Sequence, residues 1–437
     1  MQLEVVTPRG WTRLRRAVRT PGLSVAWRAF WTSRLVVLAA GVLAVLGFGN
    51  APGWRRYDPS GLTAPSHYLE NLLAAPFARW DSVWYLAIAQ GGYDHQPART
   101  AFFPLYPLAL RGLGIAIGSD LLAGVLISLL ALLVALVLLH RLVALELDEE
   151  LAGIAVMLLA FCPLAYFLSA VYSESLFLAL ALGCIWMART GRWGWAGLLG
   201  GLAAAERATG VTLVVPLLIL HLYGPRAERA AVLGLRSVRR PWLRALLPRH
   251  RPERSLAWVL LIPAGLGAYA LVLVLVVGNG LAPFQATGPV WFRHFVPFGG
   301  VWRGAIAAWD GLRQLVHGPA PPLYFRGYGG NGLWDAGANL MLFAFLILGG
   351  MALVGTLRRL PVAYGAWCLA ALALPLSEPV TPQPLQSIPR YEMVLFPLFM
   401  WGAWWVRRRG LTTPAIAMLA VLLGLFTAEF ATWRFVA

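Results

Sequence analysis

The chain has 437 residues, of which 59% are apolar and 13% charged, and its mean hydropathy is +0.67. Soluble proteins carry about a quarter charged residues, so the composition excludes a soluble enzyme, a nucleic-acid-binding domain and a disordered scaffold. The formal charge of +17 comes from arginine alone, since the sequence contains no lysine. The arginines cluster between hydrophobic runs, which is typical of a polytopic membrane protein. We therefore expect an all-α protein with one membrane domain over residues 1–437 and no nucleic-acid partner.

Three cysteines, Cys162, Cys184 and Cys368, all lie within apolar segments. An odd number of buried thiols provides neither a disulfide framework nor a zinc-binding spacing. The acidic residues also lack a tight ligand spacing such as D-x-D. The sequence therefore predicts no bound metal and no cofactor.

Apolar runs of about 20 residues are long enough to cross a bilayer. In chain order they lie near residues 29–49, 120–140, 151–170, 172–188, 193–223, 256–277, 337–357, 361–377, 390–406 and 412–433. The first run follows a long basic segment and lacks a small-residue cleavage site after it, so it is not expected to be a cleaved signal peptide. The run 193–223 would span about 46 Å as one helix, which is too long. We expect two short spans there, with a turn at 206–210.

Arginine placement orients these spans. Four groups of arginines lie at Arg9–Arg34, in the loop 224–255, at 358–359 and at 407–409. Placing all four groups in the cytoplasm requires an even number of crossings between each pair. The protein is then a multi-pass protein of the inner (plasma) membrane, with a cytoplasmic N-terminus.

The even number of crossings holds if 193–223 crosses twice and 102–118 does not cross. The latter segment contains two prolines and an arginine, so a re-entrant or surface-lying helix is expected. About eleven spans result, with the C-terminus outside. Two external regions are then large, residues 50–119 and 278–336.

The few acidic residues gather at the predicted outer face. They are Asp58, Glu70, Asp81, Asp94, Glu174, Glu206, Glu378 and Glu392. Ionisable groups that border an apolar phase are costly unless they are paired or used. Their placement indicates a site at the outer interface rather than a conduction path through the midplane.

The densest polar and aromatic patch covers residues 79–95. A short helix is expected over 83–90, ended by a Gly-Gly pair, and Asp81 precedes it. Asp81 is therefore either a helix N-cap or a catalytic carboxylate. The neighbouring aromatic side chains suit either an interfacial belt or stacking on a sugar ring. They are Trp80, Trp84, Tyr85 and Tyr93.

Five sequence blocks in order resemble those of the PIG-V mannosyltransferase family and its bacterial relatives. They are the patch 79–95, AFFPLYPL at 101–108, YSESLF at 172–177, the segment 197–216 with its RATG turn, and SIPRY at 387–391. The resemblance implies a GT-C fold with helical external loops, an active site on the non-cytoplasmic face and a polyprenyl-phosphate sugar as donor. It also implies a catalytic base in the first external loop, where Asp81 lies in the matching motif.

The remaining site residues are assigned by chemistry. Arginine suits a leaving phosphate through its bidentate geometry, so Arg207 and Arg390 are the predicted phosphate ligands. Arg207 has two alternative roles, an ion pair with Glu206 or Glu174, or a side chain that extends its charge to the membrane surface. Candidate substrate-binding residues are Trp80, Trp84, Tyr85, His95, Tyr172, Glu174 and Tyr391. Tyr172 and Glu174 could instead cap the following span.

The predicted reaction is hexose transfer, with mannose favoured, to the hydroxyl of a glycolipid or another extracytoplasmic acceptor, by single displacement with inversion. The alternative is a transporter or flippase of lipid-linked sugars, although no internal repeat of the kind common in transporters is present. For transfer, Asp81 must lie within about 15 Å of the arginine head groups. The expected cavity is covered by loop 50–119 and walled by loop 278–336, whose aromatic residues include Trp291, Trp302, Tyr324 and Tyr328.

Overall fold

The structure is a computed structural model that describes residues 21–65, 68–94, 96–226, 248–318, 332–380 and 383–434. Within these ranges the chain is helical and forms no strand, although an isolated bridge joins Arg293 to Val380. The predicted all-α class is therefore confirmed. The α-helices in chain order are α1 (Pro21–Phe48), α2 (Tyr68–Leu73), α3 (Ser82–Gly91), α4 (Leu105–Ile117), α5 (Asp120–Glu146), α6 (Glu149–Ala160), α7 (Glu174–Arg189), α8 (Trp193–Glu206), α9 (Val214–Tyr223), α10 (Leu261–Val277), α11 (Ala282–Trp291), α12 (Gly299–His317), α13 (Gly332–Arg359), α14 (Val362–Leu376), α15 (Ile388–Met393), α16 (Phe396–Arg408) and α17 (Thr412–Ala431).

Among the residues that the structure describes, five helical segments are long and apolar enough to cross a membrane. They are Gly22–Phe48, Asp120–Glu146, Arg254–Val277, Leu333–Arg359 and Thr412–Ala431. Each coincides with a predicted span, and shorter apolar helices occupy Leu105–Ile117, Ala208–Tyr223 and Val362–Leu376. The protein is thus a multi-pass membrane protein.

The predicted span 151–170 is only half helical. Helix α6 ends at Ala160, and a 3-10 turn at Ala165–Leu168 follows. Pro163 explains the difference, because proline lacks an N–H and disfavours a helical conformation at the residue before it. The backbone groups freed by the break need new partners because the segment is buried.

Arg34 supplies those partners. Its guanidinium donates to the carbonyls of Ala165 at 2.7 Å and Ala160 at 3.0 Å, and to Ser169 Oγ. The side chain is only 6% exposed and lies within α1. Our sequence interpretation of Arg34 as part of the cytoplasmic arginine group is therefore wrong, since it satisfies a broken helix inside the protein.

The segment 193–223 breaks where the sequence predicts. Helix α8 ends at Glu206, Arg207 is extended, and a 3-10 turn at Ala208–Leu213 leads into α9. A Cβ atom at Gly210 would collide with the carbonyl of Ala203, so the tight return at this break requires glycine.

The two large connections are themselves helical. In the first, α4 has 13 residues, a length of about 20 Å that is short of the hydrocarbon thickness. In the second, α11 and α12 precede α13, and α12 packs against α13. Both observations agree with the expectation of helical external loops.

Polar contacts divide the helix ends into two groups. At one end, Tyr364 donates to Glu146 at 2.7 Å, Arg189 pairs with the same carboxylate, and Arg407 bonds Asp148 at 3.0 Å. This end contains the described arginine-rich loops. At the other end, Arg79 donates to the carbonyl of Ala431 at 2.9 Å.

Candidate active site

Asp81 directly precedes α3, and the turn that presents it is strained. Trp80 adopts a φ of 53°, which is uncommon for a bulky residue and is tolerated where surrounding structure fixes it. The Asp81 backbone N–H donates to the Tyr172 hydroxyl at 3.0 Å, and that hydroxyl donates to the Arg79 carbonyl at 3.1 Å. Tyr172 therefore holds the turn from behind.

The Asp81 carboxylate does not cap the helix. Although Asp81 occupies the N-cap position, its side chain accepts no hydrogen bond from the N–H groups of α3. Its Oδ2 atom instead accepts from Nη1 of Arg390 at 2.6 Å. The capping interpretation is thus wrong for the side chain, which points towards α15.

Asp81, Arg390, Glu174 and Arg207 form one ion-pair network. Nη1 of Arg207 donates to Oε1 of Glu174 at 2.7 Å, and Nε of Arg390 lies 3.3 Å from the same oxygen. The side chain of Glu174 is 2% exposed, whereas that of Asp81 is 27% exposed. Two carboxylates and two guanidinium groups balance, as buried charges require.

The network resolves the alternatives for Arg207. Its ion-pair partner is Glu174, which begins α7, and not the adjacent Glu206. The guanidinium also lies over the rings of Tyr391 and Phe177, at 5.3 and 5.7 Å from their centroids. Arg207 is therefore fixed inside the protein rather than extended to the membrane surface.

A cavity of about 560 Å³ opens beside this network, within the range typical of ligand sites. Its charged wall carries Asp81, Glu174, Glu206, Arg207, Arg293, Glu378 and Arg390. Its apolar wall comes largely from α10 and α11 and includes Pro263, Leu266, Gly267, Ala270, Leu281, Pro283 and Phe284. The arrangement can hold a ligand with an anionic group at one side and an apolar chain at the other.

Tyr85 and Tyr391 also line this cavity. The Tyr85 hydroxyl donates to Ser173 Oγ at 2.9 Å. Burial raises the pKa of Tyr85 well above its usual value, and the nearby Glu174 raises it further. Tyr85 is therefore a hydrogen-bond donor and not a base.

The two tryptophans of the patch pack outside the cavity lining. Trp80 contacts the rings of Tyr57 and Trp433, with centroids 4.7 and 5.8 Å away. Trp84 stacks on Phe102 with centroids 6.0 Å apart. Both rings help to fix the loop that carries Asp81, and His95 lies outside the described residues.

Loop 278–336 contributes one wall through α11. Trp291 lines the cavity, whereas Trp302 is 72% exposed on α12. Tyr324 and Tyr328 lie outside the described residues. Of the four aromatic residues expected in this wall, the structure brings Trp291 to the site.

Arg293 is a cavity residue that the sequence analysis missed. It donates from Nη1 to the carbonyl of Glu378 at 3.0 Å, and this contact ties loop 278–336 to the α14–α15 connection. The available signal was an arginine in a predicted external loop, where the positive-inside pattern makes arginine less expected. In the part of the chain that the structure describes, no three His, Cys, Asp or Glu side chains form a metal-binding cluster.

Residues 58–222 match the family model described as "Mannosyltransferase (PIG-V)". The GPI alpha-1,6-mannosyltransferase 2 of Mus musculus is 37% identical over 168 residues, which is 36% of this chain and 33% of that protein. The Rattus norvegicus protein is 36% identical over 171 residues, with 35% and 33% covered. The Homo sapiens protein is 33% identical over 166 residues, with 35% and 33% covered. The matched region thus spans about a third of these relatives.

Among solved structures, the Archaeoglobus fulgidus oligosaccharyltransferase tethered with an acceptor peptide is 13% identical, with a TM-score of 0.41. The alignment covers 93% of this chain and 56% of that one. The same organism's oligosaccharyltransferase AglB in complex with an inhibitory peptide and a dolichol-phosphate gives a TM-score of 0.40 at 12% identity, with the same coverage of 93% and 56%.

The family match contains Asp81, Glu174 and Arg207, and four of the five sequence blocks fall inside it. The fifth block, 387–391, lies outside the match and supplies Arg390. The resemblance predicted from the sequence is confirmed over residues 58–222, which are similar to the PIG-V mannosyltransferase family.

Proposed function

We propose that this protein is a membrane mannosyltransferase of the GT-C type. It transfers a hexose from a polyprenyl-phosphate sugar to an acceptor hydroxyl, with inversion at the anomeric carbon. The observation that carries the proposal is the 2.6 Å contact of Asp81 with Arg390 beside a cavity, with Asp81 inside the family-matched segment. The proposed site faces the extracytoplasmic side of the plasma membrane, because the arginine-rich loops lie at the opposite end.

In the proposed reaction, the acceptor oxygen attacks the anomeric carbon while the bond from that carbon to the phosphate oxygen breaks. The departing polyprenyl phosphate keeps the electron pair. The proton of the acceptor hydroxyl passes to the Asp81 carboxylate, a transfer that typically contributes 10²- to 10⁴-fold. Asp81 is exposed enough to the cavity to meet an incoming hydroxyl, since 27% of its side chain is accessible.

Arg390 is the proposed primary ligand of the leaving phosphate. Preorganised cations lower the barrier where negative charge develops, and guanidinium binds phosphate in a bidentate manner. In the free protein the Asp81 carboxylate accepts a hydrogen bond from Nη1 of Arg390. A donor phosphate that takes over this hydrogen bond would release the Asp81 carboxylate to accept a proton, so donor binding prepares the base.

Arg207 acts beside Arg390 through their shared partner Glu174. The Glu174 carboxylate holds the two cations close together despite their mutual repulsion. A phosphate that binds there adds a negative charge between two positive ones. This supports the assignment of both arginines to the donor phosphate, and a monoanionic phosphodiester so bound has no need of a metal ion.

The apolar wall of the cavity suits the polyprenyl chain. Helix α10 contributes Pro263, Leu266 and Ala270, and the same helix also exposes Leu271, Val274 and Leu275. An isoprenoid chain lying along this wall would remain among apolar side chains while its phosphate reaches the ion-pair network. A glycolipid or another extracytoplasmic acceptor would enter beneath the loop that carries Asp81.

The test is a transfer assay with protein reconstituted in vesicles and radiolabelled polyprenyl-phosphate mannose. The proposal predicts a new mannosyl linkage on acceptor lipid, with an anomeric configuration opposite to that of the donor when the product is examined by NMR. Translocation of the intact donor without any new glycosidic bond would contradict it and favour a flippase. The ionisable groups of the cavity lie at the end of the fold opposite the arginine loops, and not at its middle, which favours the transferase.

A further inference from the structure

The break after α8 places two polar side chains against the cavity. The ion-pair network provides no partner for either of them. Glu206 and Thr209 flank Arg207, and both line the cavity. Glu206 is 2% exposed and Thr209 is 8% exposed. The chain reverses between them through a hydrogen bond from Gly210 N–H to the Arg207 carbonyl at 2.8 Å.

The polar atoms of both side chains are buried without hydrogen bonds. Neither carboxylate oxygen of Glu206, nor Oγ1 of Thr209, bonds to any residue that the structure describes. The backbone N–H of Tyr106 makes a weak hydrogen-bond contact with the Glu206 carboxyl group, but neither carboxyl oxygen has a hydrogen bond of ordinary geometry. Burying such groups without partners is costly, so their placement against a cavity indicates a polar ligand.

The chemistry of the pair identifies the class of ligand. The adjacent guanidinium of Arg207 is committed to Glu174 at 2.7 Å, so it leaves the Glu206 carboxylate to other donors. A carboxylate oxygen accepts hydrogen bonds, and a threonine hydroxyl both donates and accepts. Neutral hydroxyl groups of a sugar ring can donate to and accept from both residues.

We propose that Glu206 and Thr209 bind the hydroxyl groups of the donor sugar and determine which hexose is accepted. The inference rests on the proposed function and assigns a specificity role to two residues outside the ion-pair network. A site built to bind a substrate hydroxyl discriminates strongly against an analogue that lacks it, because its buried polar groups then stay unpaired. Glu206 and Thr209 therefore select by the positions of hydroxyls, while Asp81 and the arginines act on any polyprenyl-phosphate sugar.

The test compares polyprenyl-phosphate mannose with its 2-, 3-, 4- and 6-deoxy analogues. In the wild-type protein at least one deoxy donor should lose roughly 10- to 100-fold in kcat/KM, as expected when a buried polar group loses its hydrogen-bond partner. In Glu206→Ala this loss should nearly vanish, because the natural donor is then as poor as the analogue. If the alanine variant folds poorly, Glu206→Gln serves in its place, because glutamine keeps the side-chain volume. The loss of kcat/KM with the deoxy donor should be smaller in this variant than in wild type.

Thr209→Val provides a second test, and its expected result differs from the result that a purely structural role of Thr209 would give. Valine has the shape of threonine without the unpaired hydroxyl, so the variant should be at least as thermally stable as wild type. It should nevertheless discriminate less between mannose and one deoxy analogue. The matched control is Glu392→Gln, since Glu392 is also a buried glutamate with an unpaired oxygen but does not line the cavity; its pattern should equal that of wild type.

Two results would overturn the inference in distinguishable ways. If wild type transfers mannose but Glu206→Ala and Thr209→Val keep the wild-type ratio for every deoxy donor, the specificity role is wrong and the proposed function stands. If wild type transfers sugar from no polyprenyl-phosphate donor, the proposed function fails and the specificity role fails with it.

Discussion

Asp81 and Arg390 are 309 residues apart in the chain, yet their side chains meet in a 2.6 Å hydrogen bond. Asp81 comes from the loop after α2 and Arg390 from the short helix α15. Glu174 and Arg207 extend the contact into a network of four charges. Residues with the chemistry of a base and of phosphate ligands are thus in direct contact before any substrate binds.

The contact predicts that Arg390 cannot be replaced by another cation without loss. Arg390→Lys keeps the charge but loses the planar fork that serves two partners, and kcat/KM for the polyprenyl-phosphate donor should fall roughly tenfold. In Arg390→Ala the same kcat/KM should fall roughly 10²- to 10³-fold, the cost of removing one preorganised hydrogen-bond donor. Steady-state kinetics at fixed acceptor concentration measures both values.

Arg111→Lys is the matched control, because Arg111 also pairs with a carboxylate, Asp120 at 3.3 Å, but its side chain is 47% exposed and does not line the cavity. Its kinetics should equal those of wild type. Equal activity of Arg390→Lys and wild type would show that charge alone suffices at this position.

Glu174 should act as a counter-ion that a phosphate can replace. Glu174→Gln removes the negative charge between Arg207 and Arg390, so the thermal midpoint should fall because two buried cations lose their shared partner. Added polyprenyl phosphate should then raise the midpoint more in this variant than in wild type. Thermal unfolding followed by intrinsic fluorescence, with and without this lipid, gives the comparison; an equal shift in both proteins would contradict the role.

Gly267 provides a test of the lipid wall. It lies in α10, lines the cavity, and a Cβ atom there would meet nothing within 4 Å. Gly267→Leu should therefore fill part of the cavity next to the apolar wall. The helix should not be disturbed, because leucine has a higher helix propensity than glycine. The KM for a long-chain donor should rise several-fold, and less for a donor with a shortened isoprenoid chain.

The matched control is Gly350→Leu in α13. An added Cβ atom at Gly350 also meets nothing within 4 Å, but Gly350 does not line the cavity beside Asp81. Unchanged kinetics is expected for this control. A rise in KM that is the same for long and short donors would place the effect elsewhere than on the lipid chain.

Arg34 should affect stability and not catalysis. Arg34→Met keeps an apolar stem but leaves the carbonyls of Ala160 and Ala165 without their donor, and each unsatisfied buried group costs about 1–3 kcal/mol. We expect a thermal midpoint lower by several degrees with an unchanged donor KM at permissive temperature. A normal midpoint would show that the broken helix has another means of satisfying its carbonyls.

Much of the fold was predictable because bilayer length and arginine placement leave few alternatives. The break at 206–210 followed from an overlong apolar run with a polar centre, and the structure places it there. The end of α6 at Ala160 was missed because the apolar run continues past it, although Pro163 was a readable signal. The role of Arg34 depends on that break and could not be read without it.

The candidate site was predictable residue by residue but not as a network. Asp81, Glu174, Arg207 and Arg390 stood out as ionisable groups at the predicted outer face, in recognisable blocks. Their pairing depends on side-chain geometry between elements distant in the chain. The same geometry decides that Arg207 pairs with Glu174 and not with Glu206, its neighbour in sequence, which periodicity alone cannot distinguish.

The central claim is that the Asp81 carboxylate is the base, and the most direct measurement is single-turnover transfer by Asp81→Asn beside Asp94→Asn. Asp94 lies in the same connection between α1 and α5, is exposed, and has a φ of 46° that asparagine tolerates. We predict that Asp81→Asn binds donor but transfers roughly 10²- to 10⁴-fold more slowly, while Asp94→Asn behaves as wild type. Transfer by Asp81→Asn at the wild-type rate would contradict the account.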